Sequence, residues 1–244
     1  YGGGIFIGSG SASPTLENLI IEDNRAENGG GIYCTSNTAP TLHNVIIRNN
    51  QVVYSDLGER GFGGGVHVRS NAHPIFFNSF IYDNSAIESG GGAYITGDAI
   101  IEINSTSIYD NSAINYGGGI YCYKESNIEI VESNIFSNSA RIGGGIYQTE
   151  NSQLSISFTS INQNEVEQYG GGIYLEGSSP TLETLVITAN NATSDYDSGG
   201  GILCTSSSPK IANTIITNNT GNSGGGISCR YGGSPILDNV IISN

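Results

Sequence analysis

Acidic side chains are the first place to look for chemistry in this 244-residue chain, which carries 22 Asp and Glu against 8 Lys and Arg. Asp83 and Asp110 recur at one repeat position, and Asp23 shares it. Stacked carboxylates there would be about 5 Å apart, within the ~5–9.5 Å that a glycosidase needs. The remaining members of that column are Asn, Ser, Gln and Ala, and Arg25, Arg48, Arg60, Arg69, Arg141 and Arg230 do not converge on it. Asp195 and Asp197 are spaced like calcium ligands, but two carboxylates do not complete a calcium shell. No cofactor is therefore expected, and calcium is unsupported. His43, His67 and His73 are single, and His67 and His73 flank one strand with Arg69. No CxxC or Cys/His spacing suggests zinc. Cys34, Cys122, Cys204 and Cys229 fall in one column. Cys204 and Cys229, in successive repeats, sit within disulfide range or act as small buried apolar groups.

Aromatic residues give the most distinctive non-catalytic pattern. Tyr94, Tyr121, Tyr147 and Tyr174 occupy equivalent sites in four consecutive repeats, with Tyr33 and Phe6 further along. They read as a ladder that stiffens a sheet face or as a flat stripe that docks a partner chain or sugar rings. Two enlarged turns, residues 51–62 and 191–198, are loop-binding candidates through Tyr54, Asp56, Glu59, Arg60, Asp195 and Asp197. Thr35, Thr96, Thr149 and Thr205 share a column, but Arg69, Tyr123, Glu176 and Arg230 interrupt the regularity an ice-binding face needs. Asn104, Asn191 and Asn218 stand in glycosylation sequons.

The elements that position these residues are repeats. Gly-Gly-Gly begins at 2, 29, 63, 90, 117, 143, 170, 199 and 224, in steps of 27, 34, 27, 27, 26, 27, 29 and 25 residues. The repeat fills residues 1–244 as a single domain. After each triplet an alternation such as Ile32-Tyr33-Cys34 marks a strand with one buried face. A second strand carries Leu16, Leu42, Phe76, Ile103, Ile130, Ile156, Leu182, Ile211 and Leu237, with Pro two residues earlier in six repeats and Ile101, Ile128 and Leu154 in the other three. Pro is tolerated at a strand start. A third strand carries Ile21 through Ile242. Three residues beyond its Ile comes Asn24, Asn50, Asn84, Asn111, Asn138, Asn164, Asn190 or Asn219.

Strands this short bury nothing alone. Stacked on copies of themselves at about 4.8 Å, they place Ile on Ile and Asn on Asn. The asparagines then form a ladder and tolerate left-handed turns. The fold class is all-β: a parallel β-helix solenoid of about nine rungs of ~27 residues, three short strands per rung, roughly 43 Å long. The usual crossover of parallel strands makes the coil right-handed.

Ile-x-x-Asn followed by Gly-Gly-Gly-Ile resembles the Phe-x-x-Asn and Gly-Gly-Ala-Ile repeats of chlamydial polymorphic outer-membrane proteins. More broadly, the chain is similar to right-handed parallel β-helix (pectate-lyase-like) proteins of bacterial surfaces, with Ile for Phe and a third Gly for Ala. The resemblance implies secretion, surface display and adhesion. The Gly-His-Gly and Arg-x-Lys elements of pectate lyases and polygalacturonases are absent from the sequence.

The acidic balance, net −14, argues against nucleic acid and anionic membrane surfaces, and no apolar run is long enough for a membrane span. The chain starts and ends inside a repeat without a polar cap, so further repeats or end-to-end or side-by-side copies are expected. The expected function is a non-enzymatic extracellular adhesin, stalk or filament segment, contacting a cell-surface glycan or protein. The alternative is a carbohydrate-binding or polysaccharide-cleaving β-helix.

Overall fold

The computed structural model describes residues 1–8, 10–54, 61–193 and 198–243. Among the described residues, three nine-stranded sheets and one eight-stranded sheet run along the coil axis, and every pairing between successive rungs is parallel and in sequence order. The register is that of the repeat: Ile32 pairs with Val66, Phe76 with Ile103, and Ile108 with Ile135. The expected Ile and Leu columns fill the interior, where Ile47, Phe76, Ile103, Ile130 and Ile161 are buried.

The proline column decides the strand lengths of the second sheet. Where Pro precedes the anchor, the strand spans three residues, as in Thr41–His43 and Thr181–Glu183. Proline has no N–H to give the ladder. Where Ile101, Ile128 and Leu154 replace it, the strand lengthens to five residues: Ile100–Asn104, Asn127–Val131 and Gln153–Ser157.

The fourth sheet is a departure from the expected three strands per rung. Its strands include Gln51–Val52, Ser85–Ala86, Ser112–Ala113 and Ser139–Ile142, just past the ladder asparagines. They turn a column of small side chains inward, and Val52, Ala86, Ala113 and Ala140 form a core cluster of their own.

The Asn ladder is continuous. Asn24, Asn50, Asn84, Asn111, Asn138, Asn164 and Asn190 each donate Nδ2 to the Oδ1 of the next, at 2.9–3.0 Å, ending on Asn219. Each Oδ1 also accepts the backbone N–H of the preceding ladder residue at 2.9–3.1 Å. From Asn50 onward each amide donates back to an Ile carbonyl of the previous rung, for example Asn138 to Ile108 at 2.9 Å. The left-handed residue at this corner is not the ladder Asn but the one before it: Asp23, Asn49, Asp83, Asp110, Ser137, Gln163, Ala189 and Asn218 have φ of 53–58°. Asp83 and Asp110 are exposed there. Asp and Asn are among the residues that accept this conformation most readily, which explains the carboxylate column without chemistry. Loss of solvent, and then the Asp83 charge, raises the Asp110 carboxyl above its ordinary value.

Candidate functional site

The outer face of the first sheet carries the aromatic column. Tyr94, Tyr121, Tyr147 and Tyr174 point away from the Ile core, as the alternation requires, and stack rung on rung. Tyr121–Tyr147 and Tyr147–Tyr174 centroids are 4.9 and 4.7 Å apart, with the ring planes 6° and 3° from parallel. The expectation of a flat open stripe fails. Tyr33, Tyr94, Tyr121, Tyr147 and Tyr174 are only 4–8% exposed, and only Phe6, at 54%, is open.

A second layer covers them. Phe62, Tyr116, Ile142 and Tyr169 pack over the ladder with Tyr123. The first four stand immediately before a Gly triplet and bridge from rung to rung in register, with Ser89 between Phe62 and Tyr116. That column was legible as the residue preceding each triplet, but its mixture of Asn, Phe, Ser, Tyr and Ile gives no compositional signal.

The covered phenols are chemically altered. Burial pushes Tyr94 up to about 12. Burial raises Tyr121 and Tyr174 as well, and in Tyr147 burial is joined by the hydroxyl's hydrogen bond to Glu176. A phenol whose folded pKa is raised favours its neutral form. Its contribution to stability is complete below the unfolded value near 10 and is lost as pH rises toward the folded value. Alkaline spectrophotometric titration should therefore leave Tyr94, Tyr121, Tyr147 and Tyr174 un-ionised until the chain unfolds. Ionisation of these four phenols in the folded chain near pH 10 would contradict the buried ladder.

Two depressions flank Tyr123 on this face. One, of about 540 Å³, is lined by His67, Arg69, Tyr94, Thr96 and Lys124 among others. The other, of about 450 Å³, is lined by Tyr121, Tyr147, Glu150 and Glu176. The face is thus cationic towards one side of Tyr123 and acidic towards the other.

A third aromatic feature escaped the sequence reading. On the outer face of the third sheet, Tyr82, Tyr109 and Phe136 stack at 4.7 Å per step, 7° and 3° from parallel, and are half-buried. Arg48 extends the column, donating to the Tyr82 hydroxyl at 3.0 Å while paired with Glu22 at 2.6 Å. The signal was the residue after each third-strand Ile, although the column turns polar from Asn162 onward.

On the second sheet the five-residue strands floor a groove of about 710 Å³ lined by Glu102, Asn127, Glu129, Gln153, Ser155 and Thr181 among others. Glu102 and Glu129 are register partners. His73 meets Glu102 at 2.7 Å, whereas His67 lies on the first sheet with Arg69. The two histidines that flank one stretch of sequence therefore serve different faces.

Tyr54 is exposed. The other loop candidates, Asp56, Glu59, Arg60, Asp195 and Asp197, lie outside the described residues. Among the described residues, no group of three or more His, Cys, Asp or Glu is gathered for a metal ion.

All four cysteines are free thiols. Cys204 and Cys229 are register partners, as their spacing implied. Burial pushes Cys34 and Cys204 up to about 12 and Cys122 to about 11. Thiolate is the reactive form, so only the exposed Cys229 should react promptly with a disulfide reagent in the folded protein. Prompt reaction of more than one thiol would contradict this burial pattern.

Comparison with known proteins agrees with the geometry. A family model described as a right handed beta helix region matches residues 1–161. No curated protein and no solved structure matches the chain.

Proposed function

The chain belongs to the right-handed β-helix family, and we propose that within it this protein is a non-enzymatic extracellular rod that projects from or adheres to a surface. The observation that supports this reading is the unbroken amide ladder, in which seven consecutive side-chain bonds join the eight ladder asparagines. Seven of the eight are buried, so interior positions serve axial cohesion, the property a spacer under tension needs. The stacked rings of the third sheet offer lateral contact area to a surface glycan or protein, since aromatic faces supply area at low entropic cost. Pulling the chain end to end in an optical trap tests the reading. A rod should hold to a high force and rupture cooperatively, and a ladder variant should rupture at lower force. Rung-by-rung peeling at low force would sink the mechanical role.

A second reading, carbohydrate binding or cleavage, is favoured by the groove over the second sheet with its Glu102–Glu129 pair. It predicts new reducing ends or unsaturated uronides from a polysaccharide panel, lost in Glu129→Gln. The rod predicts none.

A further inference from the structure

Four cysteines stand in the inward column of the first sheet, but only two of them face each other. Cys34 pairs in register with Ile7 and Val68, and Cys122 with Ile95 and Gln148. Cys204 on Ile202–Thr205 pairs with Cys229 on Ile227–Arg230, within a run of matched pairs from Ile202–Ile227 to Thr205–Arg230. The register around the pair is fixed, since a slip of one residue would turn the apolar column outward. The turn that follows is drawn down onto the first of these strands: a Cβ on Gly233 would stand 2.6 Å from the Cys204 carbonyl oxygen.

In-register neighbours on parallel strands lie about 4.8 Å apart. That falls within the ~4.4–6.8 Å Cα separation that a disulfide spans. Parallel side chains keep the Cβ atoms at much the same spacing, slightly beyond the ~3.5–4.5 Å usual in a disulfide. Closing the bond requires the two strands to draw together by under ~1 Å. A bond made this way carries strain, and strained disulfides are reduced more easily than structural ones. The spacing therefore favours a reversible bond over a permanent staple.

The two thiols are not equivalent, and the difference orders the chemistry. Cys204 is fully buried, whereas Cys229 is exposed. Burial, and then the neighbouring Cys229 thiol, pushes Cys204 up to about 12. Burial raises Cys229 too, but a hydrogen bond from Cys204 opposes it. Cys229 is thus the thiol that meets an oxidant, and Cys204 the one that resolves the product. With oxidised glutathione, a small-molecule disulfide, the Cys229 thiolate attacks one sulfur and a glutathione thiolate leaves. The Cys204 thiolate then attacks the Cys229 sulfur, the protein S–S bond forms and the second glutathione leaves. The protein loses two electrons and two protons, and one oxidised glutathione becomes two reduced ones. Because the Cys204 thiolate is scarce, closure is the slower step, set by the protein and not by the reagent concentration.

We propose that Cys204 and Cys229 form a reversible disulfide that clamps the strands Ile202–Thr205 and Ile227–Arg230 together from inside the coil. Disulfides persist in oxidising surroundings, which is where the extracellular reading places the chain. The pairing itself depends on register alone, whatever the rod contacts.

Equilibrating the whole chain in glutathione buffers from fully reduced to fully oxidised tests this, with acid quenching, alkylation of the remaining thiols and peptide mass mapping. The buffers supply the oxidant, so the outcome is independent of where the chain is displayed. As the buffer becomes oxidising, Cys204 and Cys229 should link with the loss of two hydrogen masses, and the link should revert in reduced glutathione. Cys34 and Cys122 should remain thiols throughout. Cys204→Ala should stop at the mixed disulfide, with one glutathione retained on Cys229, and Cys229→Ser should take up none. Amide hydrogen exchange in the two strands should slow at least about tenfold on oxidation and recover on reduction. Unchanged circular dichroism confirms folding, and Cys229→Ser, at an exposed position, suffices alone. No link in the most oxidising buffer, a link to Cys34 or Cys122, a wild-type chain that stops at the mixed disulfide, a link that survives reduced glutathione, oxidation indifferent to Cys229→Ser, or exchange indifferent to oxidation would each overturn the proposal.

Discussion

Replacing Asn138 by Asp should destabilise the rod by about 3–5 kcal/mol at neutral pH, the cost of an uncompensated buried charge. Asn138 donates Nδ2 to Asn164 Oδ1 at 3.0 Å and to the Ile108 carbonyl at 2.9 Å. Its Oδ1 accepts from the Asn111 side chain and backbone at 3.0 and 3.1 Å. Asp keeps the shape and the acceptor role but loses both donations. Its second oxygen then faces two other oxygens inside the coil. The variant's carboxyl must be raised well above its unfolded value near 3.9. A raised carboxyl is harmful above its folded pKa and harmless below its unfolded one. The deficit relative to wild type should therefore shrink as pH falls from neutral toward 4, where a protonated Asp again donates one bond. Urea midpoints at pH 7.5 and pH 4 read this directly. Asn44→Asp is the control. Asn44 donates to Asn18 at 2.6 Å but in an exposed corner, so its cost should stay under about 1 kcal/mol. Equal losses for the two variants would mean that the ladder carries no special weight.

The second large effect belongs to the middle glycine of each triplet. A Cβ on Gly118 would stand 2.5 Å from the Ser139 carbonyl oxygen and 2.6 Å from that of Gly144. Both are backbone atoms of the next rung, so relief requires the rungs to separate. Gly118→Ala should cost about 3 kcal/mol, the upper end of overpacking. Gly177→Ala separates steric from conformational cost: its φ is +65° but nothing lies within 4 Å of a Cβ there. Only the left-handed penalty of about 1–2 kcal/mol should appear. Comparable thermal shifts in the two variants would overturn the close-approach explanation of the triplets.

These predictions rest on features that a single sequence carried to different degrees. The Ile columns and the Asn ladder were legible because one residue type recurs at one step, and in-register stacking turns recurrence into contact. The fourth sheet was not, since strands such as Ser85–Ala86 and Ser112–Ala113 offer only two small residues each and look like turn. The alternation correctly aimed Tyr121 and Tyr147 away from the Ile core, but aim does not determine exposure. Their burial depends on Phe62, Tyr116, Ile142 and Tyr169, whose types vary from rung to rung. Substituting Tyr121 or Tyr147 with Ser would therefore open a cavity rather than simply remove a binding stripe. The cationic depression on the first sheet was half visible. His67 and Arg69 lie two residues apart in sequence, but Lys124 joins them only because two rungs of stacking carry it there.

Hydrogen exchange at the side-chain amides of Asn111 and Asn138 tests the central claim, that one buried amide ladder ties the rungs into a single rod. Both amides are expected to be protected to the same extent as the slowest backbone N–H groups, exchanging only when the coil opens globally, while the exposed Asn44 amide exchanges freely. Rapid exchange of Asn111 and Asn138 at the Asn44 rate would contradict the ladder, and with it the account of what holds this coil together.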